Sequence, residues 1–233
     1  MKHLLQIFVI WENGRSLENK ITQDIQSKYE ILQVFSIKWP SNEFAANLSR
    51  LYGKKIPKGC KKEKECGTGA FTLIVGYDPN PQLVDDPKHP GIKSNANAMR
   101  DKYTYRQWTG GGYLVHASDN QYEAAENLLF MLGLSIKEIE EKYRLPWDGK
   151  IISITQSMIG SQGWASWEEL QNFVKKLPKT YIKDNSSEII INTTDFAQTS
   201  RLLNLKKRFT LFKKNEYKAL IGGENRPILM KTA

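Results

Sequence analysis

Apolar and polar positions in this chain fall into short blocks whose spacing changes from one block to the next, and the changes predict its elements. Residues 4–11 read Leu4-Leu5-Gln6-Ile7-Phe8-Val9-Ile10-Trp11, the near-continuous apolar run of a strand covered on both faces. Ser16 can cap a following helix in which Leu17, Ile21, Ile25 and Tyr29 recur every fourth residue. A second strand spans Ile31 to Trp39, with Ile31, Phe35, Ile37 and Trp39 on one face and Leu32 and Val34 on the other. Pro40 ends it. Ser41 can then cap a helix carrying Phe44, Leu48, Leu51 and Tyr52, closed by Gly53.

Residues 54–65 have the composition of a basic loop, and Gly67-Thr68-Gly69 leads into a third strand from Phe71 to Tyr77. Residues 78–93, with four prolines and several acids, read as loop. A helix follows over 95–108. Thr109-Gly110-Gly111-Gly112 precedes a fourth strand, Tyr113-Leu114-Val115-His116. Asp119 or Asn120 can cap a last helix with Tyr122, Ala125, Leu128, Leu129 and Leu132 facing inward and Gly133 at its end. The order β-α-β-α-β-α-β-α predicts an α/β (α+β) domain of residues 1–140, a sheet with helices packed on it. Residues 134–150 continue as an exposed helix and a Pro-Trp-Asp-Gly turn, and the pattern restarts in a small α/β unit over 151–233, with a helix from Trp167 to Lys176.

Composition narrows the classes only a little. At 233 residues, 40% hydrophobic and 25% charged, the chain has material for a core and is not disordered as a whole. The net charge of +9 and pI near 9.4 favour polyanionic partners: nucleotides, nucleic acid or anionic lipid. No stretch is long enough to span a bilayer, and Glu12-Asn13-Gly14-Arg15 after the first apolar run lacks the small residues of a signal cleavage site. Cys60 and Cys66 match no zinc spacing and form no disulfide framework, so reduced thiols in a cytoplasmic protein are expected.

The densest chemistry lies in Tyr113-Leu114-Val115-His116-Ala117-Ser118-Asp119-Asn120-Gln121-Tyr122-Glu123-Ala124-Ala125-Glu126. An apolar strand ends in a histidine, a polar turn follows, and a helix begins. A rigid strand end can present the imidazole at the edge of the sheet, and neutral imidazole is a competent nucleophile near neutral pH. The hydroxyl and the helix N-terminus offer donors to phosphate oxygens. The plainer reading makes His116 a hydrogen-bonded structural residue and Ser118-Asp119 an ordinary cap; His3 and His89 are terminal and loop histidines.

This stretch resembles the active-site segment of nucleoside diphosphate kinases, in which a strand leads to His-Gly-Ser-Asp and a helix rich in Glu and Ala. The likeness extends by order of elements to about residue 140: Trp11-Glu12-Asn13-Gly14 lies where that family has Lys-Pro-Asp-Gly, and Gly67-Thr68-Gly69 is similar to its Ser-Gly-Pro turn. The resemblance implies a ferredoxin-like sheet and transfer of a γ-phosphate through a phosphohistidine at His116, using a nucleoside triphosphate with Mg²⁺. It implies support from Ser118 and Asp119, and nucleotide or phosphate contacts from Arg100, Lys102, Arg106, Tyr52 and Tyr113. It is also compatible with an oligomer, whose packing the C-terminal unit could obstruct. The departures are Trp11 with no lysine beside it, Ala117 in place of glycine, Gly112-Tyr113 for Arg-Asn, and Leu128 near the place of a histidine-orienting glutamate. A noncatalytic nucleotide or nucleic-acid binding module that retains the fold is the alternative. A nucleotidyl- or phosphoglycosyl-transfer component is a third.

Other features are less specific. Gly110–Gly112 can cradle phosphate through backbone N–H groups, but without the Lys-Ser/Thr of a P-loop they read as a turn. Lys54, Lys55, Lys58, Lys61, Lys62 and Lys64 form a basic cluster in which no aromatic residues interleave, so a solvated loop is favoured over a nucleic-acid surface. Lys206, Lys207, Arg208, Lys213 and Lys214 with Phe209 and Phe212 form a second basic patch. The C-terminal unit has a faint likeness to a minimal nucleotidyltransferase, yet Glu188-Ile189-Ile190 lacks the carboxylate pair such enzymes need to hold metal ions. Neither a metal ligand set of the protein's own nor a membrane partner is expected.

Overall fold

In the computed structural model, which describes residues 3–86, 91–143, 145–177, 180–185, 188–207 and 215–232, the first apolar run becomes the interior strand β1 (Leu4–Ile10). β1 pairs antiparallel with β3 (Phe71–Asp78) on one side and with β6 (Val115–Ala117) on the other. β3 also pairs antiparallel with β2 (Glu30–Lys38), and β2 pairs in parallel with β7 (Ile151–Thr155). β4 (Leu83–Asp85) and β5 (Lys93–Asn95) pair antiparallel with each other, so the stretch expected as loop carries a small ribbon, and α6 (Ile136–Lys142) precedes β7. The order of the main sheet is β6-β1-β3-β2-β7. Its first four strands have the ferredoxin-like arrangement, in which β1 and β2 run parallel on either side of β3. Such parallel neighbours require a crossover, supplied by α1 (Glu18–Lys28); α4 (Ala96–Trp108) makes the equivalent link from β3 to β6.

The chain divides into two compact units. The first comprises Met1–Ala45, Ile56–Leu128 and Leu134–Gln156; the second comprises Ala46–Lys55, Leu129–Gly133 and Ser157–Ala233. β7 thus belongs to the first sheet. Its alternately exposed residues, with Ile151 47% exposed, are those of an edge strand. His89 and the segment carrying Arg208, Phe209, Phe212, Lys213 and Lys214 lie outside the described residues.

Helices α1 and α4 cover one face of the first sheet. Phe8 meets Tyr29 edge-on at 5.0 Å and Tyr105 at 6.1 Å, among Ile10, Ile21, Ile25, Ile31, Val34 and Ile74. The tyrosine hydroxyls need acceptors once buried. Tyr29 donates to Asp101 and Tyr105 to Asp24, each over 2.8 Å, while Lys28 reaches both carboxylates. A second apolar cluster joins Trp11, Trp39, Phe44 and Phe71, with the ring centroids of Trp11 and Trp39 lying 4.8 and 4.7 Å from that of Phe71. Trp11 is fully buried there.

Several sequence expectations change in detail. Ser16 lies within a 3-10 helix over Glu12–Leu17 and does not cap α1. Ile31 does not share a face with Phe35 and Ile37: the β2–β3 register shifts between Ile31 and Gln33, and Ile31 joins Val34 in the core. One extra residue reverses every side chain beyond it, because the strand period is two. Lys54–Glu65 is not wholly loop, since Lys61–Cys66 forms a short helix, α3. In α5 (Gln121–Leu132) Asn120 is the cap, its Oδ1 accepting from Glu123 N at 3.0 Å. That phase buries Ala124, Asn127, Leu128 and Met131 and leaves Tyr122 55% exposed.

The second unit holds α7 (Trp167–Lys175), β8 (Thr180–Asn185), β9 (Glu188–Thr193), α8 (Phe196–Leu202), β10 (Lys206–Lys207), β11 (Glu216–Ile221) and β12 (Glu224–Thr232). Its sheet order is β10-β11-β12-β9-β8, with β9 and β12 parallel. It also takes the C-terminal part of α2 (Phe44–Tyr52). From there the buried Arg50 donates to Leu202 O and Ile159 O at 2.8 Å each and to Arg201 O at 3.4 Å. Leu202 O is an orphan acceptor at the end of α8, while Arg201 O also accepts from Asn204 N at 3.2 Å, so Arg50 completes the C-terminal cap. Burial, with the neighbouring Arg201 charge, pushes the Arg50 guanidinium down to about 9.

Candidate functional site

β6 places His116 opposite Val9 of β1 and buries it to 4% exposure. Asn127 of α5, eleven residues on, puts its Nδ2 3.2 Å from His116 Nε2. An amide N–H has no lone pair to offer, so Nε2 accepts and the ring proton sits on Nδ1. Glu123 Oε1 lies 3.7 Å from the same nitrogen, beyond hydrogen-bond length. Burial holds the imidazole pKa well below its usual value, and the charges of Lys102, Arg106 and Lys62 push it the same way. The ring is therefore neutral at pH 7.

The residues after His116 are used by the fold. Ser118 Oγ accepts from Gln6 Nε2 at 2.7 Å and from Ile7 N at 3.1 Å, and Ser118 N donates to Ile7 O at 3.0 Å. Its hydroxyl locks the β1–β6 edge. Asp119 pairs with Lys102, and its carbonyl accepts from Asn95 N at 2.8 Å. Asp119 N donates to Glu123 Oε2 at 2.6 Å. Burial pushes the Glu123 carboxyl up to about 7, the leading influence, while that backbone bond opposes the rise.

Cations gather around this strand end from two elements. Lys62 comes from α3, and Lys102 and Arg106 from α4. Arg106 Nε donates to Val115 O at 2.7 Å, which fixes its guanidinium 5.9 Å from the Tyr103 ring and 6.0 Å from the Tyr113 ring. Lys62 Nζ lies 4.8 Å from the centroid of Tyr113, and Lys102 Nζ 5.9 Å from that of Tyr103. Tyr113 precedes β6 instead of lying within it. It is brought back over α4 by Gly110, Gly111 and Gly112, all at positive φ. The N–H groups of Gly110 and Gly111 donate to Gln107 O and Arg106 O, so they close α4 and do not form a phosphate cradle.

Of the residues expected at the site, His116, Ser118, Asp119, Lys102, Arg106 and Tyr113 come together. Arg100 does not: its side chain is 60% exposed and turned to Asn97 and Asp101. Tyr52 belongs to the second unit. Trp11 stands in the aromatic cluster and serves packing. Sequence reasoning missed Glu123, Asn127 and Lys62. Asn127 left a trace, a polar residue on the apolar α5 face of Ala124, Leu128 and Met131. Lys62 stood in the basic cluster of residues 54–64, but nothing in its spacing tied it to the end of β6.

Among the described residues no group of three or more His, Cys, Asp or Glu side chains is arranged to hold a metal ion, and no helix is long and apolar enough to cross a membrane. No protein-family model matches the chain, and no curated protein matches it. Among solved structures it is similar to the nucleoside diphosphate kinase of Aquifex aeolicus at 11% identity and a TM-score of 0.38, the match covering 59% of this chain and 99% of that one.

Proposed function

We propose that the first unit is a noncatalytic binding module for nucleotides or nucleic acid, using the cationic end of β6. The observation that carries this reading is the convergence of Lys62 and Arg106 on the exposed Tyr113 ring at the start of β6, where Arg106 also donates to Val115 O. The motif's own polar groups, Ser118 and Asp119, are meanwhile engaged in holding the fold. A localised positive field on a basic protein attracts phosphates. Titration with a fluorescent ATP analogue tests it: Lys62→Ala and Arg106→Ala each weaken binding about tenfold, the effect of losing a charge-assisted contact. Absence of affinity for any nucleotide or oligonucleotide overturns it.

The neutral imidazole of His116 favours a second reading, phosphotransfer through a phosphohistidine. Nδ1 would have to lose its proton, with the Asn127 amide turned so that Oδ1 accepts from Nε2–H, and the ring would have to reach a γ-phosphate from its buried position. Mg²⁺ would be carried by the triphosphate, with Arg106 and Lys62 balancing its charge. Incubation with γ-labelled triphosphate and Mg²⁺ tests this reading. Acid-labile, base-stable label absent from His116→Ala supports it; nucleotide binding without label excludes it.

A further inference from the structure

Lys62, Tyr113, Arg106, Tyr103 and Lys102 form a continuous ladder in which cations and rings alternate, with each cation 4.8 to 6.0 Å from the ring beside it. The two rings are on the surface, Tyr103 57% and Tyr113 39% exposed. Large aromatic side chains exposed on a surface and flanked by cations are costly to solvate and suited to stacking. We infer that this ladder is a binding platform for single-stranded nucleic acid, an inference that rests on the nucleotide or nucleic-acid reading above and assigns it a polymer.

The geometry argues for a strand and against a single nucleotide. Arg106 lies 5.9 and 6.0 Å from the two centroids, so the rings are at most about 12 Å apart. That span holds at most about four nucleotides at the ~3.4 Å per phosphate of a stacked strand. One base can stack on each tyrosine while Arg106, between the rings, and Lys62, beyond Tyr113, meet phosphates; Lys102, buried and paired with Asp119, holds the far end of the ladder in place. Paired bases have no free faces to offer these rings, so a duplex meets only the cations. Stacking and phosphate contact use features common to all bases, so base preference is weak. The platform also supplies an aromatic residue absent from the Lys54–Lys64 sequence: Tyr113 lies beside Lys62 of α3, 4.8 Å from its Nζ.

The test is fluorescence anisotropy on the full 233-residue chain. Labelled twelve-residue oligo-dT and oligo-U, a labelled duplex of equal length and a labelled ATP analogue are compared at several salt concentrations, and co-sedimentation with phosphatidylserine-containing vesicles is run in parallel. The expected result is single-strand binding at least about tenfold tighter than binding of the ATP analogue or duplex. Tyr103→Ala and Tyr113→Ala each weaken it at least about fivefold, and Tyr→Phe at either site preserves it. Log affinity falls with log salt at a slope of about −1.4, as for two phosphates neutralised on a single strand. Equal affinity for DNA and RNA strands keeps the proposal; equal affinity for duplex overturns it. Binding of the ATP analogue as tight as that of the oligomers, and indifferent to both alanine substitutions, overturns the polymer and leaves the nucleotide reading standing. Failure of every nucleotide and oligomer to bind overturns both, and vesicle binding without oligomer binding replaces them with a lipid surface.

Discussion

The side-chain amide of Asn127 donates to Nε2 of His116 over 3.2 Å, and this bond gives a buried histidine on an edge strand one defined protonation state. Asn127→Ala leaves Nε2 without that donor. A destabilisation of about 1–3 kcal/mol in urea unfolding is expected. Histidine ¹⁵N shifts report the tautomer directly, and a protonated Nε2 in the wild type would contradict the assignment.

His116 and Glu123 give opposite pH dependences. The folded pKa of His116 lies below its unfolded value near 6.5, so the unfolded chain binds more protons and stability falls as pH drops below 6.5. Glu123 rises from 4.5 to about 7, so the folded state holds the extra proton and its contribution is lost as pH climbs from 4.5 through 7. Glu123→Gln therefore steepens the gain in stability between about pH 5 and 6.5, whereas His116→Gln leaves a decline over that range. Urea midpoints across pH for the three proteins decide it, and parallel curves would show that neither group is coupled to folding as described.

Ser118→Ala separates the structural reading of the motif from a phosphate-binding one. Gln6 Nε2 and Ile7 N both lose the hydroxyl acceptor. A loss of about 1–2 kcal/mol in stability is expected, with nucleotide affinity unchanged. Weakened binding at unchanged stability would return Ser118 to the binding site.

At Gly76, opposite the β2 irregularity, an added Cβ would stand 2.8 Å from Glu30 O and 3.2 Å from Ile31 Cα. Both are backbone atoms and cannot swing aside. Gly76→Ala is expected to cost about 1–3 kcal/mol, read from denaturant unfolding. A neutral result would mean that the strands do not approach so closely.

Arg50→Lys keeps the charge but cannot serve the Arg201, Leu202 and Ile159 carbonyls from one planar fork. Amide-exchange protection in α8 should fall by about tenfold or more, as expected for the loss of one to two hydrogen bonds. Unchanged protection would remove Arg50 as the cap.

Local pattern alone determined the alternating elements of the first unit, the buried strand at Leu4–Ile10 and the strand–turn–helix around His116, because periodicity and capping act over a few residues. It also singled out His116, whereas Lys102, Arg106 and Tyr113 were expected only from the resemblance to the kinases. Tertiary structure decided what those residues do. Ser118 was spent on the β1–β6 edge, Trp11 on an aromatic core and Gly110–Gly112 on a helix end, while Asn127 and Glu123 were turned toward His116. The face of Ile31 depended on a bulge that apolar alternation does not record. The ladder of Lys62, Tyr113, Arg106 and Tyr103 joins residues from separate elements, and spacing along a chain holds no information about such contacts until packing brings them together.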